Sequence, residues 1–263
     1  MIYPHQQEAI DYITEKFKSD ESILALLISG SIPHGLNNEN SDIDFNVIVS
    51  NDVYEKRKES NELTYWESAS DFYEGGYFDG KYITLDYLAL IVEKGNEPSR
   101  FALQDVIIAF DRTGKVAGYI NRIGTFDEND IQERTIRFLS QLDIWAWYCG
   151  EALKHNNAYL LDVTVSKLIL FACRLILLEN RMLFPYHKWL LAVTEKCVNK
   201  PHDLIPAINK LLKDKSKENI HYLYEMIKSY KDWSEGVKYN CSSYFLHDVE
   251  TVWMRQDEFI ENI

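Results

Sequence analysis

The stretch from residue 23 to 49, ILALLISGSIPHGLNNENSDIDFNVIV, limits the fold of this chain more than any other segment. An apolar run over 23–28 stops at Gly30 and Ser31. Eleven positions after Ser31, Asp42-Ile43-Asp44 opens a second apolar run that continues to Val49. Short apolar runs bounded by turn residues read as buried strands. The stretch therefore predicts a strand, a polar turn, a helix start, a loop and a second strand. On that second strand, carboxylates at i and i+2 point to the same face. Their mutual repulsion is relieved by a cation, and hard oxygen donors suit Mg²⁺, whose usual shell is one or two carboxylates plus substrate phosphates. The turn has matching chemistry. Gly30 lets a ligand approach the backbone, Ser31 supplies a hydroxyl, and Pro33 is compatible with a first helical turn. A helix N-terminus at 31–33 would aim free N–H groups at an anion, phosphate being the common one.

Gly-Ser, a spacer and Asp-x-Asp on a strand resembles the DNA polymerase β-like nucleotidyltransferase superfamily. In overall layout the chain is most similar to aminoglycoside and lincosamide nucleotidyltransferases. The resemblance asks for a third carboxylate on a neighbouring strand. Residues 81–92, KYITLDYLALIV, read as that strand, with Asp86 the one charge inside a run of strand-forming residues. Buried on a strand, such a carboxylate is costly without a metal or a partner. Asp42, Asp44 and Asp86 are thus the expected metal centre, with Asp86 also expected to accept the proton of the attacked hydroxyl. Gly30, Ser31, His34 and Ser41 are the expected nucleotide contacts, His34 standing where the resemblance has a basic residue. In the C-terminal half, Pro185-Tyr186-His187-Lys188-Trp189 is similar to segments of antibiotic-modifying nucleotidyltransferases. Lys188 is accordingly expected to reach a triphosphate or the transition state.

The fold implied is α+β: a small mixed sheet with flanking helices over 1–122, then an all-helical bundle over 123–263. The activity implied is Mg²⁺-dependent transfer of a nucleoside monophosphate to a hydroxyl of a small molecule, with pyrophosphate released. The donor would be ATP, giving AMP, or another nucleoside triphosphate, and the acceptor an aminoglycoside-type antibiotic. A second reading comes from the pairing of small nucleotidyltransferases with helical HEPN domains in toxin–antitoxin systems acting on protein or RNA. Arg181 and His187, with five residues between them, match the spacing of the RNase members formally. Pro185 interrupts the helical setting that this reading needs.

Charge helps to choose among partners. Of a net charge of −13, residues 1–125 carry −10, from 11 Lys and Arg against 21 Asp and Glu. Such a balance disfavours duplex nucleic acid, whose binding rests on phosphate neutralisation, and favours a small, cationic acceptor. Four cysteines, with no Cys-x-x-Cys, read as buried thiols in a reducing compartment. The first ten residues lack a basic start, and charges at Asp162, Lys167 and Arg174 interrupt the most apolar run. These features predict a cytoplasmic protein, with monomer and homodimer both left open.

The remaining pattern predicts a helix over 5–18, a second over 51–70, and a hairpin of 72–78 and 81–92 turning at Asp79-Gly80. Tyr65, Trp66, Phe72, Tyr73, Tyr77 and Tyr82 crowd this region, one or two of them suited to stacking on a base or sugar. A strand over 106–114 ends in a turn at Asp111, and 112–126 reads as a linker. Helices follow: one capped by Thr125 and Glu128, then 160–179, 186–198, 203–213, 217–234 and 244–260.

Overall fold

The protein is described by a computed structural model over residues 1–255 and 257–263. It forms two compact units, Met1–Thr125 and Phe126–Ile263. The α+β class implied by the sequence holds: a small mixed sheet in the N-terminal part, then helices.

In the first unit, helix α1 (Pro4–Lys18) starts on a proline and buries Ala9, Ile10, Ile13 and Phe17 along one face. Strands β1 (Ile23–Ile28) and β2 (Ile43–Val49) follow, then helix α2 (Asn51–Glu59), whose N-cap Ser50 accepts a hydrogen bond from the Val53 N–H. Strands β3 (Thr64–Ser68) and β4 (Tyr77–Ile83) lead into helices α3 (Leu85–Lys94) and α4 (Glu97–Leu103). Strand β5 (Ile107–Asp111) and helix α5 (Val116–Ile123) complete the unit.

The five strands order as β3-β4-β2-β1-β5. All neighbours are antiparallel except β2 and β4, which run parallel because α2 and β3 carry the chain back between them. Two apolar layers cover the sheet. Ile43, Phe45 and Val47 of β2 pack with α1 on one face. Ala25, Leu27 and Ile48 pack with Leu88, Ile91, Val116 and Ile120 of α3 and α5 on the other. The second layer covers the β1–β5 side and reaches Ile48 of β2 and Ile83 of β4. Towards the other end of β2 and β4, and on β3, the same face carries Asp44, Asn46, Asp79 and Trp66 instead of core residues, none of them buried.

Several expectations are corrected here. Residues 51–70 are not one helix: α2 ends at Glu59 and β3 follows. Asp79-Gly80 is not a turn but the middle of β4, and the β3–β4 connection is 69–76. Gly80 is required because a Cβ there would lie 2.4 Å from the Phe45 ring. Residues 81–92 are not one strand either. β4 ends at Ile83 and α3 begins at Leu85, with N-cap Thr84 accepting from the Tyr87 N–H at 3.1 Å. The segment 112–126 is likewise more than a linker, since it contains α5. There Asp111 is the turn residue expected of it. Its carboxylate accepts from Thr113 and from the Val116 N–H. Against the cost of burial, these bonds hold its pKa below the usual carboxylate value.

The second unit is helical. It contains α6 (Ile131–Lys154), α7 (Ala158–Glu179), α8 (Tyr186–Lys196), α9 (Leu204–Lys213), α10 (Lys217–Lys228) and α11 (Cys241–Phe245). The stretch 244–260 is not one long helix: α11 runs into a π-turn at Leu246–Glu250 and a 3₁₀ turn at Val252–Met254. Helix α7 is buried nearly all round, as its composition predicts. Within it, the Arg174 guanidinium lies between the rings of Phe138 and Phe184, at 4.5 and 4.7 Å. Asp143 of α6 accepts hydrogen bonds from Tyr224, Lys228 and Tyr239. Burial and that carboxylate together push both tyrosine pKa values upward. Among the described residues, no helix is long and apolar enough to cross a membrane.

Candidate active site

The polar turn after β1 positions the first part of the site. Gly30 adopts φ +71, in the left-handed region where glycine is at ease. A Cβ at this position would lie 1.9 Å from Oδ2 of Asp44, so the backbone of the turn presses directly on that carboxylate. Ser31 is 4 % exposed, and its Oγ has no hydrogen-bond partner among the described residues. A buried hydroxyl left in that condition costs roughly 1–3 kcal/mol. An incoming ligand oxygen would remove the cost. Gly30→Ala is expected to lose at least about 1–2 kcal/mol of stability, from the left-handed backbone alone. Thermal melting checks this, and an unchanged melting temperature would show that the turn relaxes around the new methyl group.

The carboxylates come from β2 and β4. Asp44 and Asn46 alternate with the buried Ile43, Phe45 and Val47, and Asp42 stands just ahead of the strand on the same alternation. The parallel register pairs Asp44 with Asp79 directly, as it pairs Phe45 with Gly80. Residues paired across neighbouring strands share a face, so Asp79 stands beside Asp44. Tyr77, also on β4, hydrogen-bonds Asp42. That bond and the Asp42 charge, then burial, with lesser contributions from Asp44 and Asp79, push the tyrosine pKa up to about 12. One hydroxyl thus senses all three carboxylates. Ser29, next to Gly30, donates its N–H to the Asp44 carbonyl at 2.9 Å, and its Oγ accepts from Asn46 at 3.1 Å.

Asp86 is not part of this group, which corrects the expected third carboxylate. It lies in the first turn of α3, exposed, and accepts a hydrogen bond from Asn51 at 2.7 Å. Along β4, the paired Ile83 is already four residues past Asp79. At about 3.3 Å per residue that is about 13 Å, and Asp86 lies further on. Its place at a helix N-terminus gives it an ordinary role there. Asp79 is the residue that sequence reasoning missed. The signal was the alternation of Tyr77, Asp79 and Lys81 with Phe78 and Tyr82, hidden by the turn-like Asp-Gly pair.

His34 and Ser41 were expected to contact the nucleotide, and both are engaged within the protein. The two ring nitrogens of His34 lie 2.7 Å from the Gly30 carbonyl and 3.0 Å from the Phe101 carbonyl. Its ring stacks on Phe101 at 4.3 Å, so His34 braces the turn against α4. Ser41 accepts from the Asn38 N–H at 2.9 Å and so closes the loop before Asp42. That loop is further held by Gln6 of α1, fully buried, whose amide donates to the carbonyls of Asn38 and Ser41 and accepts from Asn37. No pattern in the sequence marks α1 as a support for the site.

In the second unit, Lys188 is exposed in the first turn of α8, with its ammonium 5.0 Å from the Trp189 ring. Arg181 pairs with Glu128 at 3.0 Å, and His187 packs edge-on against Phe184 and Tyr186.

As they stand, no three His, Cys, Asp or Glu side chains among the described residues converge closely enough to hold a metal unaided. Mg²⁺ does not require that. Its usual shell is one or two carboxylates, with waters and substrate phosphates completing the octahedron. Asp42, just ahead of β2, and Asp44 on it are oxygen donors two residues apart, near the Ser31 hydroxyl that has no partner among the described residues, and they fit that shell.

Residues 10–95 match the family model described as a nucleotidyltransferase domain. The matched span includes the Gly30 turn, the loop held by Gln6, and the row of Asp44 and Asp79. No curated protein matches the chain. Among solved structures, the chain is similar to a nucleotidyltransferase-like protein from Exiguobacterium sibiricum 255-15. Identity is 12 % and the TM-score 0.46, over 95 % of this chain and 81 % of that one.

Proposed function

We propose, on the premise that residues 10–95 are a nucleotidyltransferase domain, that the protein transfers a nucleoside monophosphate from a nucleoside triphosphate to a hydroxyl of a small molecule. ATP is the proposed donor and Mg²⁺ the proposed metal, held by Asp42 and Asp44. The acceptor is proposed to be cationic and hydroxyl-rich, as an aminoglycoside is. The observation that carries this reading is the in-register pair of Asp44 and Asp79 standing against the Gly30 turn and its buried Ser31 hydroxyl.

When bound, the metal supplies charge neutralisation on the phosphates. The chain supplies the rest. The backbone at Gly30 and the Ser31 hydroxyl hold the outer phosphates and fix their direction. Asp79, on the side of Asp44 away from the Gly30 turn, takes the proton of the acceptor hydroxyl. That oxygen forms a bond to the α-phosphorus, the bond from the α-phosphorus to the bridging oxygen breaks, and pyrophosphate leaves. The acidic balance of the first unit raises the local concentration of a cationic acceptor and repels a polyanionic one.

The test is incubation of the full chain with Mg²⁺, α-labelled ATP and a panel of aminoglycosides and lincosamides. Label transfer together with pyrophosphate release is the expected result. Absence of Mg²⁺-dependent nucleotide binding would overturn the reading. Binding without transfer to any compound would retain the reaction and move the acceptor to another chemical class.

A further inference from the structure

Strand β3 is an edge strand, and its centre carries Trp66. Antiparallel pairing sets Trp66 directly opposite Asp79, which is itself in register with Asp44. Trp66, Asp79 and Asp44 therefore form one row across three strands on one face of the sheet. Neighbouring strands lie about 4.8 Å apart, so the row is about 10 Å long. Trp66 is 69 % exposed, whereas Phe45, Phe78 and Tyr82 of the same sheet are buried on the opposite face. Its neighbours along β3, Thr64 and Ser68, are exposed too. This indole is not core material: Asp79 faces it from β4, and Lys81 stands on the same face two residues further along that strand.

The ends of the row differ chemically. The Gly30 turn, at the end of β1, flanks Asp44 on one side, and Asp79 and Trp66 flank it on the other. A triphosphate held at Gly30 and Ser31 brings its α-phosphorus to the carboxylates from the β1 side. The attacking oxygen and the leaving oxygen lie roughly in line across phosphorus. The acceptor must then stand on the β4–β3 side, over Asp79 and against the indole.

We propose that Trp66 is the binding platform for the acceptor, its ring face stacking on a saturated, hydroxyl-bearing ring that carries amino groups. The proposal rests on the nucleotidyl-transfer reading of the site. A sugar or cyclitol ring offers an apolar C–H face to the indole. Its ammonium groups are drawn both to the π-face, for which Trp is the best side chain, and to Asp79. Trp66 is thus a residue for acceptor affinity and not for nucleotide affinity.

The experiment uses the full chain labelled with 5-fluorotryptophan, which gives a ¹⁹F resonance for each of the six tryptophans. Trp66→Phe assigns the one of interest. Mg²⁺ with a non-hydrolysable methylene analogue of ATP is added first, then kanamycin, streptomycin and lincomycin in turn. The expected result is a Trp66 resonance that stays in place on nucleotide binding and moves with at least one of the three compounds. Trp66→Ala is expected to leave the affinity for the nucleotide analogue within about twofold and to weaken that compound about tenfold, the scale of one lost aromatic–cation contact. A resonance that moves with nucleotide, together with weaker nucleotide binding in Trp66→Ala, would assign the indole to the base and overturn the proposal. So would nucleotide binding followed by no response to any of the three compounds, with the transfer reading left standing. Failure of the wild-type protein to bind nucleotide at all would take down both.

Discussion

Asp44→Asn is expected to lower nucleotidyl transfer by about a thousandfold or more, Asp79→Asn by a similar factor, and Asp86→Asn by less than about threefold. The first two estimates follow from losing several kcal/mol of charge stabilisation or proton acceptance at the transition state, at about 1.4 kcal/mol per tenfold in rate. The third follows from position: Asp86 is an exposed residue at the start of α3, hydrogen-bonded to Asn51 and more than four residues along from the acidic row. Asparagine keeps the shape of aspartate and removes its charge. The Asp44 and Asp79 variants should therefore melt at or slightly above the wild-type temperature, because like charges side by side on a sheet are destabilising. Pyrophosphate release and thermal melting read the two effects separately. Equal losses in Asp79→Asn and Asp86→Asn would show that the register of β2 and β4 does not define the site.

The largest effect on stability is expected in the second unit, at Arg137. Its Nε lies 3.1 Å from both carboxylate oxygens of Asp248, and a further guanidinium nitrogen lies 3.0 Å from one of them. His247 adds a contact at 2.9 Å. The Asp248 side chain is fully buried within the π-turn at 246–250, while Arg137 retains some exposure on α6. Arg137→Met would take the guanidinium from that carboxylate and leave it the His247 contact. Breaking a buried pair from one side costs about 3–5 kcal/mol, a fall in Tm of roughly 10 °C for a unit of this size. The double variant Arg137→Met with Asp248→Leu should recover most of the loss, since an apolar pair of similar volume replaces a buried ion pair with little penalty. Denaturant unfolding of the two variants measures this. A loss under about 1 kcal/mol in the single variant would show that solvent reaches Asp248.

Much of the site was legible because local chemistry and tertiary placement agree there. The turn at Gly30 and Ser31, the strand that begins just after Asp42 and carries Asp44, and the helical half all follow from short-range pattern, whereas the helix start expected at 31–33 is a run of turns. What was not legible depends on long-range contact. Asp79-Gly80 has the composition of a turn, and it lies in mid-strand because Phe45, thirty-five residues earlier, needs the space that a side chain at 80 would fill. Asp86 was misplaced by a choice of period. Leu85, Leu88 and Ile91 after Thr84 fit a capped helix as well as a strand, and periodicity alone does not separate the two over so short a run. The role of Gln6 was invisible for a different reason. A glutamine in an amphipathic helix reads as solvent-facing, and only the packed loop shows it buried beneath the carbonyls of Asn38 and Ser41.

The row of Trp66, Asp79 and Asp44 has a consequence for how the chain reaches its fold. A parallel pair such as β2 and β4 closes late, across a long intervening segment, and is open to slippage while it forms. A slip of one residue would turn Asp79 inward onto Phe45 and the α1 layer, and would bring Phe78 out to water. An unpaired carboxylate in that layer is too costly to persist. The acidic residues proposed for chemistry thereby also proofread the assembly of the sheet, since a misaligned chain cannot complete its core.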